Sequence, residues 1–146
     1  MRCVIQRVRS ASVDVGVERI AGIGTGLLLL VGIEKGDKPS AVVAAAEKIL
    51  ELRIFSDSAG KMNLSVADVE GSILAVSQFT LAGSISRGRR PSFDNAEEPE
   101  RARQLFDAFV ARLAASGRPV QTGRFREMMV VTLENDGPVT FLYESH

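Results

Sequence analysis

The clearest strand in the chain is SILAVSQFTL, Ser72–Leu81. It is rich in apolar and β-branched residues, carries no charge and holds neither Gly nor Pro, so it reads as the central strand of a sheet. Other strands surround it. Near the start, RCVIQRV alternates with period two, and Val13, Val15 and Val17 repeat the pattern, with Gly16 marking a bulge or bend. GIGTG (Gly22–Gly26) is a turn, and LLLLVGIE after it reads as a strand covered on both faces. RIF is a short strand, and MMVVTLE and VTFLY are two more, joined by the turn formers Asn135–Pro138. Two helices interrupt the strands. Ser40–Leu52 is alanine-rich with apolar residues at helical spacing. Glu97–Ser116 sets Ala102, Leu105, Phe106, Phe109, Val110 and Leu113 three and four apart, and Gly117 stops it. Helices do not alternate regularly with strands, which favours antiparallel pairing. The expectation is one α+β domain over residues 1–146, with about eight strands in an antiparallel sheet and two main helices.

Composition narrows the function. Lys plus Arg and Asp plus Glu stand at 18 each, so no bulk polyanion binder is indicated, although a local basic patch is compatible with that balance. One cysteine, Cys3, precludes an internal disulfide and points to a cytoplasmic protein. No apolar run, Leu27–Val31 included, is long enough to span a bilayer, and the first residues lack a signal-peptide core, so no membrane partner is expected. The single histidine is the last residue, His146, which leaves Ser-His-Asp and Cys-His chemistry without a base. Cys3 and His146 are too few for zinc. GIGTG is followed by a strand, so it offers no helix N-terminus to a pyrophosphate. An enzyme built from this sequence works with backbone groups, hydroxyls, carboxylates or part of its substrate. Hydrolysis of a labile ester suits those tools.

Four segments stand out together: SQFTL (Ser77–Leu81), RGRRPSF (Arg87–Phe93), QTGRF (Gln121–Phe125) and NDGPVT (Asn135–Thr140). With VIQRV at the start and RIFSDSAGKMNLSV in the centre, the chain resembles, from Met1 to about Tyr143, the D-aminoacyl-tRNA deacylase family that carries a Gly-cisPro motif. The resemblance implies a β-barrel-like roll with the helices packed outside. It implies a homodimeric editing enzyme without metal or organic cofactor, which cleaves the ester joining a D-amino acid to the terminal adenosine of tRNA. Glycine mischarged on alanine tRNA, glycyl-tRNA(Ala), is implied as a second substrate. The active sites would lie at the dimer interface, with SQFTL of one chain facing Gly-Pro of the other.

Each segment also has a plainer reading. Gly137–Pro138 on its own reads as an ordinary trans turn, since only about 5–6% of X-Pro bonds in folded proteins are cis. The resemblance reverses that, and carbonyls aimed into a pocket would then exclude an L side chain by steric clash. SQFTL reads as plain strand. The resemblance makes Ser77, Gln78, Phe79 and Thr80 catalytic, with amides near Phe79 and Thr80 stabilising the oxyanion and the tRNA 2′-hydroxyl assisting. Thr80 as a nucleophile is the alternative, and a non-catalytic RNA-binding module is another. Arg87, Arg89 and Arg90 read as a solvated cluster, whereas a tRNA substrate makes Arg89, Arg90, Pro91 and Ser92 a substrate-binding loop and lets Phe93 stack on adenine. Arg7 reads as an exposed strand residue, and the resemblance has it hold the Gly-Pro loop through backbone oxygens. Met128 and Met129 read as core, with a role lining the pocket as the alternative.

Overall fold

The structure, a computed structural model, describes Met1–Ser145; His146 lies outside the described residues. The elements are β1 (Arg2–Val15), β2 (Glu18–Ile23), β3 (Gly26–Gly32), α1 (Pro39–Glu51), β4 (Phe55–Ser56), β5 (Met62–Leu64), β6 (Ser72–Ser77), a 3-10 turn (Phe79–Ala82), α2 (Pro99–Ala114), β7 (Val120–Thr122) and β8 (Val130–Glu144). Both helices start on proline, whose missing N–H costs nothing at that position.

One sheet runs in the order β2-β1-β3-β6-β7, with β8 also paired to β1, and β4-β5 form a small ribbon apart. The sheet curls into a barrel-like roll. Its ends meet where the Gly22 amide on β2 donates to Oε1 of Gln121 on β7 at 2.8 Å. The alternation of side chains sorts the core into two. Leu27, Leu29 and Val31 of β3 join the larger core under the helices, with Val42, Ile49, Phe109 and Leu113. Leu28 faces the other way, into a smaller core with Val8, Val13, Leu74 and Val76. Both faces of β3 are therefore covered, as its unbroken apolar run requires.

Three features differ from the sequence-based expectation. Two ladders, β3-β6 and β6-β7, are parallel. Their connections carry α1 and α2, and a helix-bearing crossover returns the chain in the same direction. The segment Ser72–Leu81 is strand only to Ser77, then tightens into the 3-10 turn. Gly32 lies beneath that turn, where a Cβ would stand 2.8 Å from Leu81 Cβ and 3.0 Å from the Gln78 carbonyl, so only a glycine lets the turn seat. Lastly, β1 is one long strand, Gly16 makes the hairpin turn to β2, and β2 occupies residues the sequence pattern left unassigned together with Gly22 and Ile23, which it had placed in the turn.

Candidate active site

The ladder between β1 and β8 is interrupted. Gln6 pairs with Thr140 and Val8 with Asn135, so β1 advances two residues while β8 advances five. The surplus, Asp136–Val139, bulges out of the ladder and carries Gly137 and Pro138, whose peptide bond is cis.

Side chains hold the bulge at both ends. Arg7 is 8% exposed. Its Nε donates to the Asp136 carbonyl at 3.0 Å, and it pairs with the Asp136 carboxylate at 3.1 Å. Its Nη1 donates to the buried Ile54 carbonyl at 2.8 Å. Arg7 is thus not the solvated residue that strand alternation suggests; a guanidinium has enough donors to bind two segments at once. Asn135, which the sequence offered only as a turn former, completes the clamp. Its Nδ2 donates to the Arg7 carbonyl at 2.9 Å and to the Val139 carbonyl at 3.1 Å. Its Oδ1 lies 2.6 Å from where a Cβ on Gly137 would stand. An alanine there must push a side chain that two hydrogen bonds pin. Gly137→Ala should therefore cost about 1–2 kcal/mol, read as a lower urea midpoint at unchanged m.

The SQFTL segment lies elsewhere. The Gln78 amide donates to the Val31 carbonyl at 2.7 Å, which extends the β6-β3 ladder by one residue before the chain turns. The first N–H groups of a 3-10 turn have no acceptor inside it, which leaves the amides of Phe79 and Thr80 as donors for a ligand. The Gln78 Nε2 donates to Thr80 Oγ1 at 2.5 Å. Phe79 is 59% exposed, and its ring meets that of Phe93 with centroids 5.2 Å apart.

Beside this turn opens a cavity of about 440 Å³. Ser77, Gln78 and Phe79 form one wall, and Phe125, Met128 and Met129 another. Met129 packs on the smaller core, but Met128 is largely exposed, so the pair is not simply core. Phe93 supports Phe79 from outside and does not line the cavity. Neither Gly137 nor Pro138 lines it. The reason is distance along β1: Arg2 donates to the Leu81 carbonyl at the turn, while Arg7 grips Asp136. Five residues of extended strand between them span about 17 Å.

The loop Ser84–Ser92 is closed at its base by paired backbone hydrogen bonds of 2.7 and 2.9 Å. Arg87, Arg89, Arg90 and Pro91 lie within it and are exposed, and among the described residues none of the three arginines is ion-paired. Ser92 Oγ bonds Asp94 at 2.8 Å. Cys3 is buried, and burial pushes its thiol up to about 12, which makes it inert as a nucleophile. Among the described residues no cluster of three metal-ligating side chains forms, and no helix is long and apolar enough to cross a membrane.

The family described as D-Tyr-tRNA(Tyr) deacylase matches residues 4–144. The chain belongs to this family. Two curated relatives, both D-aminoacyl-tRNA deacylases, align along nearly the whole molecule. That of Pelobacter propionicus is 56% identical over 144 residues, covering 99% of each chain. That of Geotalea uraniireducens is 54% identical over 145 residues, covering 99% of this chain and 94% of the relative. Among solved structures, the c-Myc DNA Unwinding Element Binding Protein superposes with a TM-score of 0.94 at 41% identity, covering 100% of this chain and 99% of that one. A probable eukaryotic D-amino acid tRNA deacylase shares the fold, with a TM-score of 0.84 at 18% identity and 97% of each chain covered. As a deacylase, the chain is a hydrolase of aminoacyl-tRNA esters that edits D-aminoacyl-tRNA.

Proposed function

We propose that this deacylase works as a cytoplasmic homodimer, each active site combining the cavity beside Ser77–Thr80 of one protomer with Gly137–Pro138 of its partner. The observation that carries this reading is that neither Gly137 nor Pro138 lines the cavity beside Ser77–Phe79 of its own chain. Exposed apolar side chains near the end of β8, Phe141 and Leu142, support a protomer contact on that side.

The cavity takes the terminal adenosine. Its volume suits a nucleoside, and its aromatic and thioether walls suit a base with a π-face. The Phe79 and Thr80 amides then sit beside the ester to stabilise the oxyanion. The partner's Gly-Pro carbonyls hold the ammonium group. With that group and the ester fixed, handedness alone decides where the side chain points. A D side chain leaves into solvent, an L side chain meets rigid backbone, and glycine has none to reject, which makes glycyl-tRNA(Ala) a substrate too. Clash against a wall that cannot yield discriminates more sharply than a favourable pocket for a small group. The wall is rigid because Arg7 and Asn135 clamp it.

Incubation with D-Tyr-tRNA and L-Tyr-tRNA tests the selectivity. Rapid loss of the D ester with the L ester spared is expected; equal rates, or no hydrolysis by a binding module, would refute it. The arginine loop contributes phosphate contacts. Arg89→Ala and Arg90→Ala should each weaken tRNA binding and flatten the log-log salt dependence by about 0.7. Unchanged slopes would remove the loop from the footprint.

A further inference from the structure

We infer that Arg126 anchors the phosphodiester on the 5′ side of the terminal adenosine, at the mouth of the cavity. This rests on the reading that the cavity holds that adenosine. Arg126 lines the cavity yet is exposed, so it belongs to its rim. The Glu127 amide donates to the Arg124 carbonyl at 3.3 Å and closes a four-residue turn, in which Arg126 is third with φ +65°. Positive φ at the third position is a glycine seat. The chain places a long cation there at a conformational cost, on the same short loop that supplies Phe125 and Met128 to the cavity wall.

Charge points the same way. Three charged residues line the cavity: Glu97, Arg126 and Glu127. Glu97 is paired with Arg101 at 3.3 Å, and Glu127 lies 3.8 Å from Arg124. Among the described residues Arg126 has no carboxylate partner. The rim therefore offers one uncompensated guanidinium. An aminoacyl-adenosine has no anion to meet it, because its ester is neutral and its amine is cationic. The nearest anion on the substrate is the phosphate joining that adenosine to the preceding nucleotide. A guanidinium fork suits two phosphate oxygens.

Two non-hydrolysable probes test this: 3′-(D-tyrosylamido)-3′-deoxyadenosine, and the same compound bearing a 5′-methylphosphate. Titration calorimetry at low salt should show wild type preferring the phosphorylated probe by about tenfold. R126G, which gives the backbone its favoured residue and so keeps the fold, should lose that preference while binding the unphosphorylated probe as before. R126K should retain part of it. Persistence of the full preference in R126G would overturn the inference, as would equal weakening of both probes or a wild type that binds the two alike. A wild type that binds neither probe would remove the adenosine from the cavity, and the underlying reading with it.

Discussion

Replacing the terminal 2′-hydroxyl of D-tyrosyl-tRNA by hydrogen should slow its hydrolysis by about a hundredfold or more, while Thr80→Ala stays within about tenfold of wild type. The contrast follows from what surrounds Thr80. A hydroxyl becomes a nucleophile only when a base accepts its proton. The recorded partner of Thr80 Oγ1 is the Gln78 amide nitrogen, which is itself a donor. Among the described residues no base is hydrogen-bonded to that hydroxyl. The only histidine is His146, outside the described residues. A group essential to proton transfer contributes about 10²–10⁴ in rate. A substrate hydroxyl next to the reacting ester can supply that, and an unactivated threonine cannot. Single-turnover hydrolysis of the two tRNAs by the two proteins settles the matter. Full-rate cleavage of the deoxy substrate, or near-complete loss in Thr80→Ala with binding intact, would return the chemistry to the protein.

The second large effect is expected at Arg7. Arg7→Met keeps much of the volume but strands the buried Ile54 carbonyl and releases the Asp136 carbonyl. Leaving such acceptors unmatched costs about 2–4 kcal/mol, a fall in Tm on the order of 10 °C for a chain of this size. The effect on function is separate from the effect on stability. At a temperature where the variant is folded, D-Tyr-tRNA hydrolysis should still drop by about tenfold or more, because a loosened wall misplaces the ammonium group. Arg7→Lys should rescue little, since one point charge cannot span two carbonyls as a planar fork does. Wild-type activity in Arg7→Met below its melting point would show that the clamp is dispensable.

Much of the fold was legible from periodicity. The α2 core face came directly from the spacing of Leu105, Phe106, Phe109 and Leu113, all buried. The run Leu27–Val31 gave away β3 because an uninterrupted apolar strand needs cover on both faces. Periodicity was silent where tertiary contacts rule. Phe79 and Thr80 have strand-like composition, and it is Gly32, distant in sequence, that permits the tight turn instead. Parallel pairing of β6 is likewise set by helical crossovers rather than by its own residues. At the site, chemistry-bearing types were easy to single out, but roles set by geometry were not. Asn135 looked like any turn former; its two donors matter only because the Arg7 and Val139 carbonyls converge on them. Arg126 gave no signal at all, since a positive φ on arginine leaves no trace in the letters.

In the proposed dimer each active site borrows Gly137–Pro138 from the neighbouring protomer. Complementation measures this most directly. One partner is Gly137→Val, whose branched side chain collides with Asn135 Oδ1. The other carries Gln78→Ala and Phe79→Ala in the cavity wall. Each alone should be inactive on D-Tyr-tRNA. After unfolding and refolding together in equal amounts, about a quarter of the wild-type rate should return, since half the dimers are mixed and each mixed dimer holds one fully intact site. If the motif instead serves the cavity of its own chain, every site in the mixture carries a lesion, and the refolded pair stays as inactive as its parents.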